Sequence, residues 1–150
     1  MKLKLLLAAT TLFSFYFGKS QKTIMPHLNH TTVYVVDLKK SQAFYEKVMM
    51  LKKIAEPFHD GRHTWYEIAP HVQLHVVQGA QTITPHDVNI HLAFSVESLP
   101  EFIKHLEKFH VKYGNFNGVE KEIQKRPDGV EQIYLQDPDG YWIEVNNDKY

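Results

Sequence analysis

What most constrains the fold of this 150-residue chain is a pattern that occurs twice. Residues 29–36 alternate apolar and polar side chains like a half-buried strand. Asp37 then stands as the N-cap of a helical pattern over 38–48, with Leu38, Phe44, Tyr45 and Val48 among its apolar residues. The same order returns as a strand pattern over 89–96 and a helix over 98–109, which lines up Leu99, Phe102, Leu106 and Phe109 on one face. His30 and His91, 61 positions apart, each open the first strand of a unit. Three further extended stretches follow each helix: 51–55, 62–69 and 72–78 in the first unit, 112–115, 131–136 and 141–146 in the second. Short turns join the last two strands of each unit, Pro70-His71 in one and Asp137-Pro138-Asp139-Gly140 in the other. In the second turn, proline presets one φ and glycine accepts a positive one.

Each unit therefore reads βαβββ, over about 27–79 and 88–147, and the expected class is α+β. A four-stranded sheet covers one face with its helix, which leaves the other faces to curve toward each other and enclose a cleft. The expectation is a single domain over 21–150, a pseudo-twofold, partly open, eight-stranded barrel-like sheet around that cleft.

The first 20 residues stand apart. Lys2 and Lys4 precede an apolar run from Leu5 to Phe17, and Gly18 and Ser20 supply small residues suited to signal peptidase. The run is interrupted by Thr10, Thr11 and Ser14 and falls short of the roughly 20 apolar residues that span a bilayer. Residues 1–20 read as a signal peptide, so the mature chain is expected to be periplasmic or secreted, with no stable membrane insertion. Removing Lys2, Lys4 and Lys19 leaves 14 basic residues against 17 acidic ones, a balance that argues against nucleic acid as a partner. The chain has no cysteine, which excludes disulfides and a thiol nucleophile.

Strand parity separates two faces, since successive side chains alternate. His30 travels with Thr32 and Tyr34, His75 with Gln73, His91 with Ala93 and Ser95, and Glu144 with Trp142 and Asn146. Val33, Val35, Leu74, Val76, Leu92, Phe94, Ile143 and Val145 point the other way, toward the helices. His75 lies four residues past His71 and Glu144 four past Gly140, so this pair also occupies matched slots. Three imidazoles and a carboxylate on rigid strands suit one divalent ion: zinc, nickel, iron, manganese or cobalt. Tyr34, Gln73 and Trp142 share the inward parity and are candidates for substrate contact. Arg62 and Arg126 read as solvated charge. The remaining histidines fall in loops, turns or helices, and the glycosylation sequon Asn29-His30-Thr31 is discounted because it runs into a strand.

The stretch from Asn29-His30 through Asp37-Leu38 to Phe44-Tyr45, the segment His91-Leu92-Ala93-Phe94-Ser95-Val96, and Asp137-Pro138-Asp139-Gly140 leading to Ile143-Glu144 resemble the vicinal oxygen chelate superfamily. That superfamily includes glyoxalase I, ring-cleaving dioxygenases, fosfomycin-resistance thiol transferases and bleomycin-binding proteins. The resemblance implies a metal-dependent lyase or isomerase whose small oxygenated substrate chelates the metal, with Glu144 able to serve as both ligand and general base. The slot that holds glutamate in glyoxalase I holds His75 here. Dioxygenases and thiol transferases of the superfamily use two histidines and one glutamate, which His30, His91 and Glu144 would supply without His75. This implies as one alternative an iron-dependent ring-cleaving dioxygenase. The drug-sequestering relatives imply another, a non-catalytic small-molecule binding protein, against which the retained ligand set counts. Such relatives pair as homodimers, and in several of them one metal takes ligands from both chains. Export would separate the protein from cytosolic thiols, so a small α-hydroxycarbonyl, catechol or epoxide-like substrate is expected.

Overall fold

The computed structural model describes residues 24–149. The signal peptide expected over 1–20 lies outside the described residues.

Asp37 caps the first helix as expected. Its Oδ1 accepts from the backbone N–H groups of Lys39 and Lys40 at 3.0 and 3.1 Å, satisfying two donors that the first turn leaves free. This helix, α1 (Leu38–Ala43), widens into a π-helical turn over Phe44–Val48. The wider turn keeps the adjacent rings of Phe44 and Tyr45 buried together with Val48 and Met49. The second helix, α2 (Leu99–Lys108), is capped by Ser98 and buries Leu99, Phe102 and Leu106. Phe109, expected on the same face, sits at the C-cap, half-exposed against His105, because the helix ends one residue earlier.

The strands of the first module are β1 (His30–Val35), β2 (Lys52–Ile54), β3 (His63–Ala69) and β4 (Val72–Gln78). Those of the second are β5 (His91–Ser95), β6 (Tyr113–Gly114), β7 (Gln124–Lys125), β8 (Glu131–Gln136) and β9 (Trp142–Asn146). The first sheet runs β1-β4-β3-β2 and the second β5-β9-β8-β6, with β7 pairing β8. In each sheet the opening strand lies parallel to the closing strand and the remaining pairs are antiparallel, so the repeat read from the sequence is a repeat in space. The α+β class and the paired modules are as expected. The short β7 is additional, and the two sheets are not closed into a barrel.

The apolar parity faces, Val33, Val35, Leu74, Val76, Ile143 and Val145, join the helices in one core that spans both modules. Each such side chain contributes roughly 1.5–3 kcal/mol on burial. The turn before β9 binds the modules together. The Tyr45 hydroxyl donates to Asp137 Oδ2 at 2.7 Å and the Ser41 hydroxyl donates to Asp139 Oδ2 at 3.1 Å. The Val36 N–H donates to Asp139 Oδ1 at 2.6 Å. Burial, reinforced by the Asp137 carboxylate, holds the Tyr45 phenol well above its ordinary pKa, which keeps it a donor. Gly140 takes φ +86° in this turn, a conformation that L side chains rarely adopt. No helix among the described residues is long and apolar enough to cross a membrane.

Candidate metal centre

Register places the four candidate ligands in matched pairs. His30 faces Gln73 across β1 and β4, with His75 two residues on; His91 faces Trp142 across β5 and β9, with Glu144 two residues on.

In the second module the pair is tightly organised. His91 Nδ1 lies 2.7 Å from the Val88 carbonyl, which can only accept, so Nδ1 carries a proton. Nε2 lies 3.4 Å from Glu144 Oε2. With the proton on Nδ1, two lone pairs face each other, an arrangement that calls for a cation between them or a second proton on the ring. Two donors on a tetrahedral zinc, each about 2.1 Å from the ion, stand roughly 3.4 Å apart. Glu144 is buried, at 7% exposure, and both its oxygens are held. Oε2 accepts from the Tyr134 hydroxyl at 2.6 Å and Oε1 from the Asn146 amide at 2.7 Å, while the Gln132 amide donates to the Tyr134 oxygen at 2.7 Å. Burial, with the Glu144 carboxylate adding to it, pushes the Tyr134 phenol far above its usual range, so it stays a donor.

The first module is an aromatic wall instead. The His30 and His75 rings stack at 4.2 Å and 7°, and Trp65 stacks on His75 at 3.9 Å and 2°. Phe58 from the β2–β3 loop lies on His63 at 4.5 Å and meets Trp65 edge-on. His30 Nδ1 sits 2.8 Å from Asn29 Oδ1, while His75 Nε2 sits 2.9 Å from Gln73 Oε1. Burial lowers the His75 pKa, and the neighbouring His30 and His63 add to the shift.

The donor set fits a divalent ion in chemistry, and the His91–Glu144 pair also fits in geometry. The four side chains do not meet within one chain: among the described residues no group of three histidine, aspartate or glutamate side chains is placed to hold a metal. Imidazole lone pairs lie in the ring plane, so rings stacked in parallel cannot both direct one at the same ion.

Of the candidates for substrate contact, Gln73 is engaged with His75, and the Trp142 indole donates to the His86 carbonyl at 2.9 Å. The Tyr34 ring, half-exposed, lies against Gly79, where a Cβ would overlap its hydroxyl. Tyr134 and Trp65 escaped the sequence reading. Both follow from parity once the register is known, Tyr134 opposite Glu144 and Trp65 opposite His75. Asn29, given no site role in the sequence, is a partner of the His30 ring.

The geometry has counterparts in known proteins. The chain is 26% identical over 123 residues to the Bacillus subtilis (strain 168) protein YwbC, covering 78% of this chain and 94% of that one. A glyoxalase family protein from Bacillus anthracis superposes with a TM-score of 0.66 at 23% identity, over 86% of this chain and 100% of that one. The fosfomycin resistance protein FosX from Listeria monocytogenes gives 0.66 at 20% identity, over 84% and 96%. At these identities the two solved structures establish the fold alone. The family model matches residues 27–145, both modules together, and so the chain belongs to the Glyoxalase/Bleomycin resistance protein/Dioxygenase superfamily.

Proposed function

We propose that this protein is a divalent-metal-dependent lyase or isomerase. Its substrate is a small molecule that presents two oxygens to the metal, and each site is assembled from the first sheet of one copy and the second sheet of another. The observation that carries the reading is the His91–Glu144 pair: two acceptors 3.4 Å apart in a buried setting, each fixed from behind by a hydrogen bond. The separation of the two pairs within one chain supports assembly between copies. So does the openness of both polar faces, where His30, Ala93 and Ser95 are exposed.

A bound divalent ion supplies Lewis-acid stabilisation of a developing oxyanion. His91 and Glu144 would hold it, with the Asn146 amide donating to Oε1 of the carboxylate. Glu144 would serve as general base toward a carbon-bound proton once a carboxylate oxygen is released from the ion, with Tyr134 and Asn146 donating to Oε2 and Oε1. Export, for which residues 1–20 are the argument, favours α-hydroxycarbonyl substrates over thiol adducts.

The test is elemental analysis of protein purified without chelator, together with its mass in solution. His30→Ala and Glu144→Ala each lose metal. Refolded together, they regain about a quarter of the wild-type content, because random pairing makes half the dimers mixed and each mixed dimer has one intact site. No recovery on mixing, with metal present in wild type, would place the whole site in one chain. A wild type that takes up no metal would end the metalloenzyme reading. Redox-active iron in the purified protein would move the assignment to an oxygenase.

A further inference from the structure

Two ring nitrogens on neighbouring inward positions of β3 have no hydrogen-bond partner among the described residues. The Trp65 indole nitrogen is buried with no acceptor. His63 opens the same strand two residues earlier. Its Nδ1 stands 2.8 Å from Asp60 Oδ1, and that hydrogen bond, with one from the Arg62 N–H, holds the Asp60 carboxyl below its ordinary pKa. Asp60 is therefore a carboxylate that only accepts, so the proton of the neutral imidazole is on Nδ1 and Nε2 presents a lone pair. Both side chains stand on the polar face, since Thr64 and Tyr66, which alternate with them, are buried in the core. Phe58 covers them from the β2–β3 loop. Its ring stacks on His63 at 4.5 Å and meets Trp65 edge-on at 6.1 Å, yet the residue is 59% exposed. The loop is built to hold it there: the Glu56 carboxylate accepts from the N–H groups of Phe58 and His59 at 2.6 and 2.9 Å, and the Arg62 guanidinium donates to the Gln78 carbonyl at 3.1 Å.

A buried donor without an acceptor is costly, and it calls for an acceptor brought by another molecule. An indole N–H and an imidazole lone pair are together complementary to a hydroxyl, which accepts from the first and donates to the second. We propose that Trp65 and His63 form a second polar subsite, covered by Phe58, that holds a hydroxyl at the far end of the substrate. Asp60 is its positioning residue, because it keeps Nε2 the acceptor. This rests on the metal reading above for the near end of the substrate and deepens it by setting the substrate's length. His63 lies opposite Val77 and His30 opposite Gln73. The strand rise between those positions and two strand spacings put the Cα atoms of His63 and His30 about 16 Å apart. A head that chelates the ion beside His30 leaves most of that distance to be spanned. The substrate is therefore elongated, with two metal-binding oxygens at one end and a hydroxylated tail at the other, and the stacked rings of His75 and Trp65 line the route between them.

The probes are catechols, which present two oxygens to an ion, carrying an alkyl chain of increasing length that ends in hydroxyl or in methyl. Calorimetry measures their binding to the zinc-loaded protein. Once the chain is long enough to reach His63, the hydroxyl-ended probe is expected to bind about tenfold more tightly than its methyl-ended twin, the worth of two neutral hydrogen bonds. Shorter chains show no difference. The advantage falls to about threefold in His63→Phe and in Trp65→Phe, each of which keeps a flat ring, and vanishes in the double variant. A length series with no hydroxyl advantage, or an advantage untouched by both substitutions, overturns the proposal while leaving the metal reading intact. Failure of zinc to load, or of catechol itself to bind the loaded protein, counts against the metal reading, and the subsite is then decided without metal. In metal-free wild type the longest hydroxyl-ended probe shifts the indole N–H resonance of Trp65 and the ring nitrogen resonances of His63, and its methyl-ended twin does not. No such shift overturns the subsite even if the variants do not fold, and so does a neutral His63 ring with its proton on Nε2. Phe58→Ala is expected to speed exchange of the Trp65 indole proton with solvent about tenfold, and an unchanged rate removes Phe58 as the cover.

Discussion

The two modules open alike and close differently. Each begins with a strand histidine whose Nδ1 is held by an oxygen acceptor. Two residues past that histidine's partner on the closing strand, the first module offers an imidazole between two aromatic rings, and the second a buried carboxylate with both oxygens hydrogen-bonded. The same backbone frame thus carries an aromatic wall in one half and an anionic anchor in the other. The turns differ in the same way. The second module reaches its positive φ with Gly140 at +86°, while the first uses His71 at +63°. The second turn also carries Asp137 and Asp139, which tie it to α1 and to Val36.

The comparison is broken most severely at Glu144. Glu144→Ala is expected to abolish metal uptake and to lower stability by about 1–3 kcal/mol, since Tyr134 and Asn146 lose their buried acceptor. Urea denaturation of the metal-free variant separates the two effects. Tyr45→Phe removes the donor that joins α1 to the second module's turn and is expected to cost about 1–2 kcal/mol in the same assay. An unchanged midpoint would show that this hydrogen bond adds nothing to the joint beyond the Asp139 contacts and the apolar core. Gly140→Ala is expected to cost about 1–2 kcal/mol from backbone strain, with no clash to add to it, since the nearest atoms to a new Cβ stand 3.6 Å away. His71→Gly, its counterpart, should gain less than about 1 kcal/mol, because relief of strain is offset by the freer unfolded chain.

The subtlest effect is one of pH. Burial raises the Asp137 carboxyl above its ordinary value of 3.8, against the hydrogen bonds from Tyr45, Tyr141 and Asp139 that lower it. A folded-state pKa above the unfolded one means that the folded protein binds the proton more tightly. This contribution to stability is therefore complete below the unfolded value and is lost as pH rises through the folded one. Relative to Asp137→Asn, wild type should lose stability as pH rises above the ordinary value of 3.8 and through the raised folded one. A difference that moves in wild type's favour with rising pH would mean that the hydrogen bonds outweigh burial.

Much of this protein was readable from local pattern. Period-two and helical spacing located the strands and helices to within a residue or two, and β4 and β8 without error, because alternation and capping are properties of neighbouring residues. Parity assigned His30, His75, His91 and Glu144 to the polar faces for the same reason. The two-residue β7 left no signal, since so short a strand exists only through its pairing with β8. The stack of His30, His75 and Trp65, the hydrogen bond from Tyr134 to Glu144 and the lone-pair contact of His91 with Glu144 all depend on the register between strands distant in sequence. The amino-acid order by itself determined which residues can share a face. Only the tertiary structure decided which of them meet, and in what orientation, because ring planes and lone pairs are set by contacts across strands and not by position along one.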